Sequence, residues 1–587
     1  MTNIAIAVSS IVTTIIIVIG VICIVPLTPI LEAPVLEPAF AQILPALFGG
    51  LGVAFVSKNW KIAVAPVILM LALFVCVPAL NEGTVGIMVP VSALFTMAAA
   101  RILYKKGALY MIGYVIAALV ALFFAVILIR AAMFRPKTQP VVQAEPVEFD
   151  RQAAIDSLAA LIQCKTISYH DHSLEDDAEF EKLISLLPEL YPNVFRVCSF
   201  DRLPDRALLL RWPGKHSENV SVMMAHYDVV PVDEEKWEQP PFSALIQDGV
   251  MWGRGTLDTK GTFNAVFSAA NHLIAQGFVP ENDMYFAFSG GEEVNGKGAD
   301  NIVQYFVDHN ISVALVVDEG GAVVENVFPG VKVPCGLIGI AEKGMMNVQY
   351  AVQSNGGHAS APKPNSPIPV VAKAVRKLEK HPFKMRLNKP AALMFDTLGR
   401  HSSFLYKVIF ANMWCFGWVI DVLGRMSGGD INALVRTTVA FTQMQGSAAR
   451  NVIPTEASVI SNMRLNPEDS VASAKEYLVK TVNDPKVSVT VLESFEPSRI
   501  SRTDCAAWDT VAAAVAETWQ GCVVSPYLMV QCSDSRHYGR ISDRVYRFSA
   551  MDLTSEERRN IHGNNERIRL ETIGKSVEFY IRLMKKC

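Results

Sequence analysis

At 587 residues the chain is longer than one compact domain usually runs, and an apolar content of 51% with a mean hydropathy of +0.28 is high for a protein that lives wholly in water. A formal charge of −3, with no basic cluster interleaved with aromatics, excludes a nucleic-acid-binding footprint. The ten cysteines form no C-x-x-C pair, so a thiolate metal site is not indicated and no disulfide framework can be read from their spacing.

The apolar excess is concentrated at the start. Residues 1–130 hold no Asp and only three Glu. A bilayer core of about 30 Å needs about 20 apolar residues in a helix. Ile4–Leu27, Ile62–Leu80 and Ala108–Ile129 meet that length; Gln42–Val56 and Thr84–Ala100 are shorter and interrupted by Gly or Pro. The expectation is an all-α transmembrane region over 1–130 with three to five helices. A cleaved signal peptide does not fit, because no basic segment precedes the first run and further runs follow. With five spans, Lys58, Lys61, Arg101, Lys105 and Lys106 share the N-terminal side. Arg130, Arg135 and Lys137 flank the other side. The positive-inside rule then puts everything after the last span outside the cytoplasm, whereas four spans reverse the answer. The spans carry almost no polar residues, so an anchor is the simpler expectation than a transporter or sensor.

Arg135–Glu148 is Pro-rich and polar, and 131–148 reads as a tether. Beyond it, strand-length apolar runs (Ser221–Ala225, Asp248–Trp252, Asp283–Phe288, Val313–Val317) alternate with helix-like stretches such as Gly261–Gly277. That alternation predicts an α/β sheet flanked by helices, with ligands collecting where strands end in loops.

Five segments carry candidate metal ligands, most of them just after such a run. They are MMAHYDVVPV with His226 and Asp228, GRGTLDTKG with Asp258, SGGEEVNG with Glu292 and Glu293, VVDEGG with Asp318, and IHGNNERI with His562. Each alone is weak, since a strand-end Asp is commonly a cap and a lone His a hydrogen-bonded surface or core group. Together, two imidazoles and several carboxylates suit a pair of zinc ions sharing a bridging carboxylate and a water.

The five segments, in this order, resemble the zinc peptidase family of aminoacylase, carboxypeptidase G and carboxypeptidase S. GRGTLDTKG, NVIPTEASVISNMRLNPED and CSDSRHYGR with the later HGNNERI are most similar to the carboxypeptidase S branch, which includes the N-fatty-acyl-amino-acid synthase/hydrolases. The resemblance covers roughly 150–587. It implies a catalytic domain in two parts (149–342 and 498–587), an inserted smaller α/β lid or dimerisation domain (343–497), and a possible homodimer through the lid. It implies that Asp258 bridges two zinc ions, with Co or Mn as substitutes. His226 and Asp318 complete one ion; Glu293 and His562 complete the other. Glu292 is then the general base, Asp228 orients His226, and a cis peptide follows Asp258. In the lid, the resemblance makes His358 of GGHASAP an oxyanion donor, from this chain or from a partner subunit; Asn451 and Arg464 grip the substrate carboxylate. Ser533, Asp534 and Arg536 line the substrate site. The activity implied is hydrolysis of an amide bond in peptides or N-acyl amino acids that carry a free carboxylate. The alternatives are a catalytically silent binding protein on the same fold, or condensation of fatty acids with amino acids. Two departures from the family pattern stand out: Gly291 replaces the acidic residue usual before Glu-Glu, and Gln531–Cys532–Ser533 replaces Gly-x-Thr. The apolar stretch Phe404–Arg425, interrupted by Lys407 and Asp421, reads as an amphipathic helical insert that binds acyl chains, touches the membrane or buries a lid–lid interface.

Overall fold

The computed structural model describes residues 108–137 and 144–587. The chain divides into two compact units, the described part of Met1–Arg135 with Ser403–Gly417, and Pro136–Ser402 with Trp418–Cys587. Of the five expected spans, Ala108–Ile129 alone falls within the described residues; the other four lie outside them. It forms the 26-residue helix Ala108–Met133. Its Tyr114–Met133 portion, 20 residues, is long and apolar enough to cross a bilayer, as it would be about 30 Å long. Among the described residues this is the one unbroken helix that passes that test. In the same unit, Phe404–Phe410 packs against it.

The larger unit is built on two sheets. Their strands are, in chain order, β1 (Ser199–Leu203), β2 (Ala207–Trp212), β3 (His216–His226), β4 (Asn282–Ser289), β5 (Val313–Val324), β6 (Cys335–Glu342), β7 (Gly344–Gln353), β8 (Thr438–Gln445), β9 (Glu456–Leu465), β10 (Ser488–Phe495), β11 (Val523–Met529) and β12 (Val545–Leu553). The first sheet has eight strands in the order β1-β2-β4-β3-β5-β12-β6-β11. It is mixed: β4, β3, β5 and β12 run parallel, as do β6 and β11, while β1–β2, β2–β4 and β12–β6 are antiparallel.

Alternation along β4 shows why this sheet is covered twice. Met284, Phe286 and Phe288 face one core with helices Lys260–Ala275 and Leu570–Met584; Tyr285 and Ala287 face another with helix Gly298–Asp308. Successive side chains of a strand point to opposite faces, so a sheet buried on both sides must be apolar at nearly every position. The parallel strands β4, β3 and β5 therefore end on the same side, and in register His226 stands opposite Ser289. The chemistry-bearing loops leave from these ends.

The second sheet is four-stranded and antiparallel, β8-β9-β7-β10. One face is covered by helices Pro367–Lys380 and Val471–Val482, through Val371, Ala374, Leu478 and Val482. Met463 and Leu465 point into that core, which leaves Arg464 on the opposite face. Of the tether, 138–143 lie outside the described residues; Arg582 donates to the Glu145 carbonyl at 2.7 Å.

Candidate metal centre

His226 closes β3 and is buried. Its Nδ1 donates to the Asp228 backbone carbonyl at 3.0 Å, with Asp228 Oδ1 at 3.4 Å. That bond places a proton on Nδ1, and Nε2 faces Asp258 Oδ1 (3.1 Å) and Glu319 Oε1 (3.4 Å). Asp228, fully buried, also accepts from the backbone N–H groups of Glu292 and Glu293, each at 3.2 Å. One residue thus sets both the imidazole, mainly through its backbone carbonyl, and the Glu-Glu turn that follows β4, through its carboxylate.

Asp258 sits in a turn that the sequence makes unusual. Gly255 has φ of +90°, and the Asp258–Thr259 peptide is cis, as the resemblance implies. The turn is held from within by Glu566, which is fully buried. Its Oε1 accepts from the N–H groups of Gly255 (3.1 Å), Leu257 (2.7 Å) and Asp258 (3.2 Å), and its Oε2 pairs with buried Arg254 at 2.6 Å. The loop that carries Glu566 also carries His562, whose Nε2 lies 2.9 Å from Asp258 Oδ2 and 3.1 Å from Glu293 Oε2.

Asp258 therefore stands between the two imidazoles, one on each carboxylate oxygen. Two groups of side chains offer a ligand atom apiece within 4.8 Å of one another: His226, Asp258 and Glu293; and His226, Glu292 and Glu319. Glu293 Oε1 is buried without a hydrogen-bond partner. Burial raises the carboxyls of Glu292, Glu293 and Glu319 above their ordinary range, helped by mutual repulsion and opposed by the imidazoles. Buried acids crowded around two imidazoles, with an orphaned oxygen, are a donor set that a divalent cation satisfies once the rings give up their Nε2 protons.

Asp318 is not in either group. Its Oδ2 accepts from Ser535 N–H at 2.9 Å, and the neighbouring Glu319 takes the place beside His226. The reason is strand geometry: adjacent residues of β5 face opposite ways, and the letters Asp-Glu do not say which way. Glu319 was thus missed, as was Glu566, which lies inside the IHGNNERI segment without a metal-ligand spacing to mark it. Gly321 follows because a Cβ there would lie 1.8 Å from the Leu337 carbonyl oxygen.

The other expected residues fall around this centre and on the lid. Ser533 N–H donates to Glu342 at 2.6 Å, and Glu342 pairs with Arg547 at 3.0 Å in full burial. Asp534, raised to about 6 by burial, accepts from the hydroxyl of Ser289 at the end of β4. Arg536 donates to the Ser533 carbonyl and stacks over Phe495 at 5.0 Å. Arg464, on β9 of the four-stranded sheet, donates to the Cys532 thiol at 2.8 Å, so that sheet meets the Cys532–Arg536 loop there. His358 and Asn451 are neighbours on the lid. Gly357–His358 pairs with Val452–Ile453, and the Asn451 carbonyl accepts from Ala359 N–H at 3.0 Å. Both are exposed, and His358 Nδ1 bonds Ser360 Oγ at 2.7 Å rather than any group of the cluster.

The sequence model of peptidase family M20/M25/M40 matches residues 222–586. The chain belongs to this family. Among curated relatives, a "Probable carboxypeptidase S-like 2" of Dictyostelium discoideum is 34% identical over 437 residues, covering 73% of this chain and 84% of that protein. The N-fatty-acyl-amino acid synthase/hydrolase PM20D1 of Xenopus tropicalis is 33% identical over 449 residues, covering 75% and 87%. Among solved structures, the M20 family metallo-carboxypeptidase Sso-CP2 from Sulfolobus solfataricus superposes with a TM-score of 0.56 at 16% identity, over 74% of this chain and 98% of that one. The mixed sheet flanked by helices is accordingly the M20 peptidase fold.

Proposed function

We propose that this M20 family member is a membrane-anchored di-zinc hydrolase, cleaving the amide bond of peptides or N-acyl amino acids that bear a free carboxylate. The observation that carries the reading is the convergence of His226, His562, Asp258, Glu292, Glu293 and Glu319, with Asp258 between the two rings and a Glu293 oxygen left unbonded. His226, Asp258 and Glu319 would hold one ion; Asp258, Glu293 and His562 would hold the other, and cobalt or manganese are accepted substitutes at such donor sets. Bound there, the ions supply a water of lowered pKa and a Lewis acid for the amide carbonyl.

The chain's own residues do the rest. Glu292 takes the proton of the attacking water and returns it to the leaving nitrogen. Arg464 binds the substrate carboxylate in a two-pronged grip and, through its contact at Cys532, sets the distance from carboxylate to scissile bond. His358, with its ring presented to solvent, acts as a donor to the carbonyl oxygen from the lid of a second copy, and Asn451 beside it completes the grip. Because a catalyst lowers both barriers, condensation of an acid with an amino acid uses the same groups. The printed name of the PM20D1 relative, synthase/hydrolase, supports an N-acyl amino acid as one substrate class. The apolar helix Ala108–Met133 supports an anchor, and the distribution of flanking Lys and Arg favours an extracytoplasmic catalytic unit.

The test uses the full chain in detergent against dipeptides and N-acyl amino acids of graded acyl length. Release of the free amino acid is expected, abolished by chelation and restored by zinc. Glu292→Gln should keep its metal and lose turnover by about 10²- to 10⁴-fold. A folded, metal-loaded Glu292→Gln protein with full activity sinks the assignment.

A further inference from the structure

The insert in the lid forms two helices, Phe404–Phe410 and Met413–Ser427, bent by 105° across a two-residue break. A bend strips backbone groups of their helical partners. Here the Ala411 carbonyl and the Asn412 side chain at the break are bonded by the apolar helix Ala108–Met133. Arg130 donates from Nε and a terminal nitrogen to the Ala411 carbonyl, at 3.1 and 2.8 Å, and from Nε to Asn412 Oδ1 at 3.0 Å. Asn412, fully buried, donates in turn to the Ile127 carbonyl at 3.1 Å and the Val408 carbonyl at 2.9 Å. Phe123 and Trp414 meet edge to face at 6.2 Å. A loop bathed in water has no need of such closure, whereas non-helical backbone at membrane depth is tolerated only where protein satisfies it.

The surfaces left over are apolar. Leu405 is 73% exposed, Trp418 65% and Met426 81%, with Phe404, Val422 and Leu423 beside them in sequence. On the helix, Val120, Phe124 and Leu128 are exposed as well. The insert's charges are arranged for an interface: Asp421 is neutralised by Arg425 at 3.0 Å and by Arg436, and Lys407 carries a stem long enough to reach the headgroups. The helix before Arg130 carries no charge at all.

We infer that Phe404–Ser427 is a re-entrant hairpin that sits in the lipid bilayer, with its Phe404–Gly417 part against the helix Ala108–Met133. The inference rests on reading Ala108–Met133 as a span, and goes beyond it by placing a second, non-spanning segment in lipid. The occupant of the apolar face is the acyl region of a bilayer. A second copy of the chain would cover the face but would not call for the bonded bend.

The experiment reconstitutes the full chain into phosphatidylcholine vesicles with and without brominated acyl chains and reads tryptophan fluorescence. Trp418→Phe should lose part of the bromolipid-dependent quenching. Trp508→Phe, a substitution against the catalytic core, should leave it unchanged. Equal quenching in wild type and Trp418→Phe, with the protein still resistant to alkaline carbonate extraction, overturns the insert's placement and leaves the span intact. Carbonate release with Trp418 still quenched removes the span and keeps the insert in lipid. Efficient disulfide cross-linking of Met426→Cys between copies, without Trp418 quenching, overturns the proposal in favour of a dimer face. None of these readouts depends on hydrolysis, so they stand apart from the catalytic assignment.

Discussion

Replacing Glu566 tests whether the metal centre is organised from behind. The side chain touches no expected ligand side chain; it holds the turn that presents Asp258, through three backbone N–H groups and Arg254. Glu566→Gln keeps an acceptor for the N–H groups but leaves the Arg254 guanidinium, 2% exposed, without its counter-charge. Removing one partner of such a buried pair costs about 3–5 kcal/mol. Glu566→Ala also orphans three N–H groups at about 1 kcal/mol or more each, so its total should exceed that of the Gln variant by at least about 3 kcal/mol. Outer partners of metal ligands typically change metal affinity by about 10- to 100-fold. The measurement pairs urea unfolding, followed by near-ultraviolet circular dichroism, with zinc competition against a chromophoric chelator. The expected order is wild type above Glu566→Gln above Glu566→Ala in both. A Gln variant with wild-type zinc affinity would falsify the idea that the turn is preset by this carboxylate.

The remaining expectations concern ligands, substrate grip and pH. Glu319→Ala should lower zinc affinity more than Asp318→Ala, whose main effect should be on the Ser533–Asp534–Ser535 loop; isothermal titration with the two variants separates them. Arg464→Met should lower kcat/KM by roughly 10- to 150-fold, the worth of a hydrogen bond to a charged group, and a substrate lacking the free carboxylate should show no further loss. Lys343, buried and donating to the Ala433 and Arg436 carbonyls, is pushed down to about 7 by burial, with Arg464 adding to the shift. Between about 7 and its ordinary 10.5 the unfolded chain binds a proton there that the folded chain does not. Folding stability from this group should therefore rise with pH across that window. Lys343→Met should flatten the slope in denaturation curves taken from pH 7 to 10, and an unchanged slope counts against the burial argument.

The α/β alternation was legible because β3, β4 and β5 are apolar runs of strand length ending in Gly, His and acidic residues. What periodicity under-read was length: the run seen as Val313–Val317 extends to Val324, because the polar Asp318–Gly321 segment continues in the sheet beside β12. In the centre, His226, Asp258, Glu292, Glu293 and His562 could be named from spacing and resemblance, since each follows a strand or sits in a Gly-flanked turn. Glu319 could not, because choosing between adjacent acids needs the strand's facing. Nor could Glu566 and Arg254, since an ion pair 312 residues apart in sequence leaves no local trace. The insert Phe404–Arg425 was legible as apolar and helical; its 105° bend was not, because the Arg130 that bonds the Ala411 carbonyl at the break is distant in sequence.

Asp258 and its support at Glu566 are separated by 308 residues, with the whole lid sheet threaded between them. His562 and the buried helix Leu570–Met584, which packs on helix Lys260–Ala275, are made after all the other residues of the cluster. A chain still being made therefore carries His226, Asp258, Glu293 and Glu319 without the ring and the turn-holder that complete the cage. The grouping is therefore set by long-range closure of the chain, and a product cut before residue 562 would lack both the second imidazole and the carboxylate that holds the Asp258 turn.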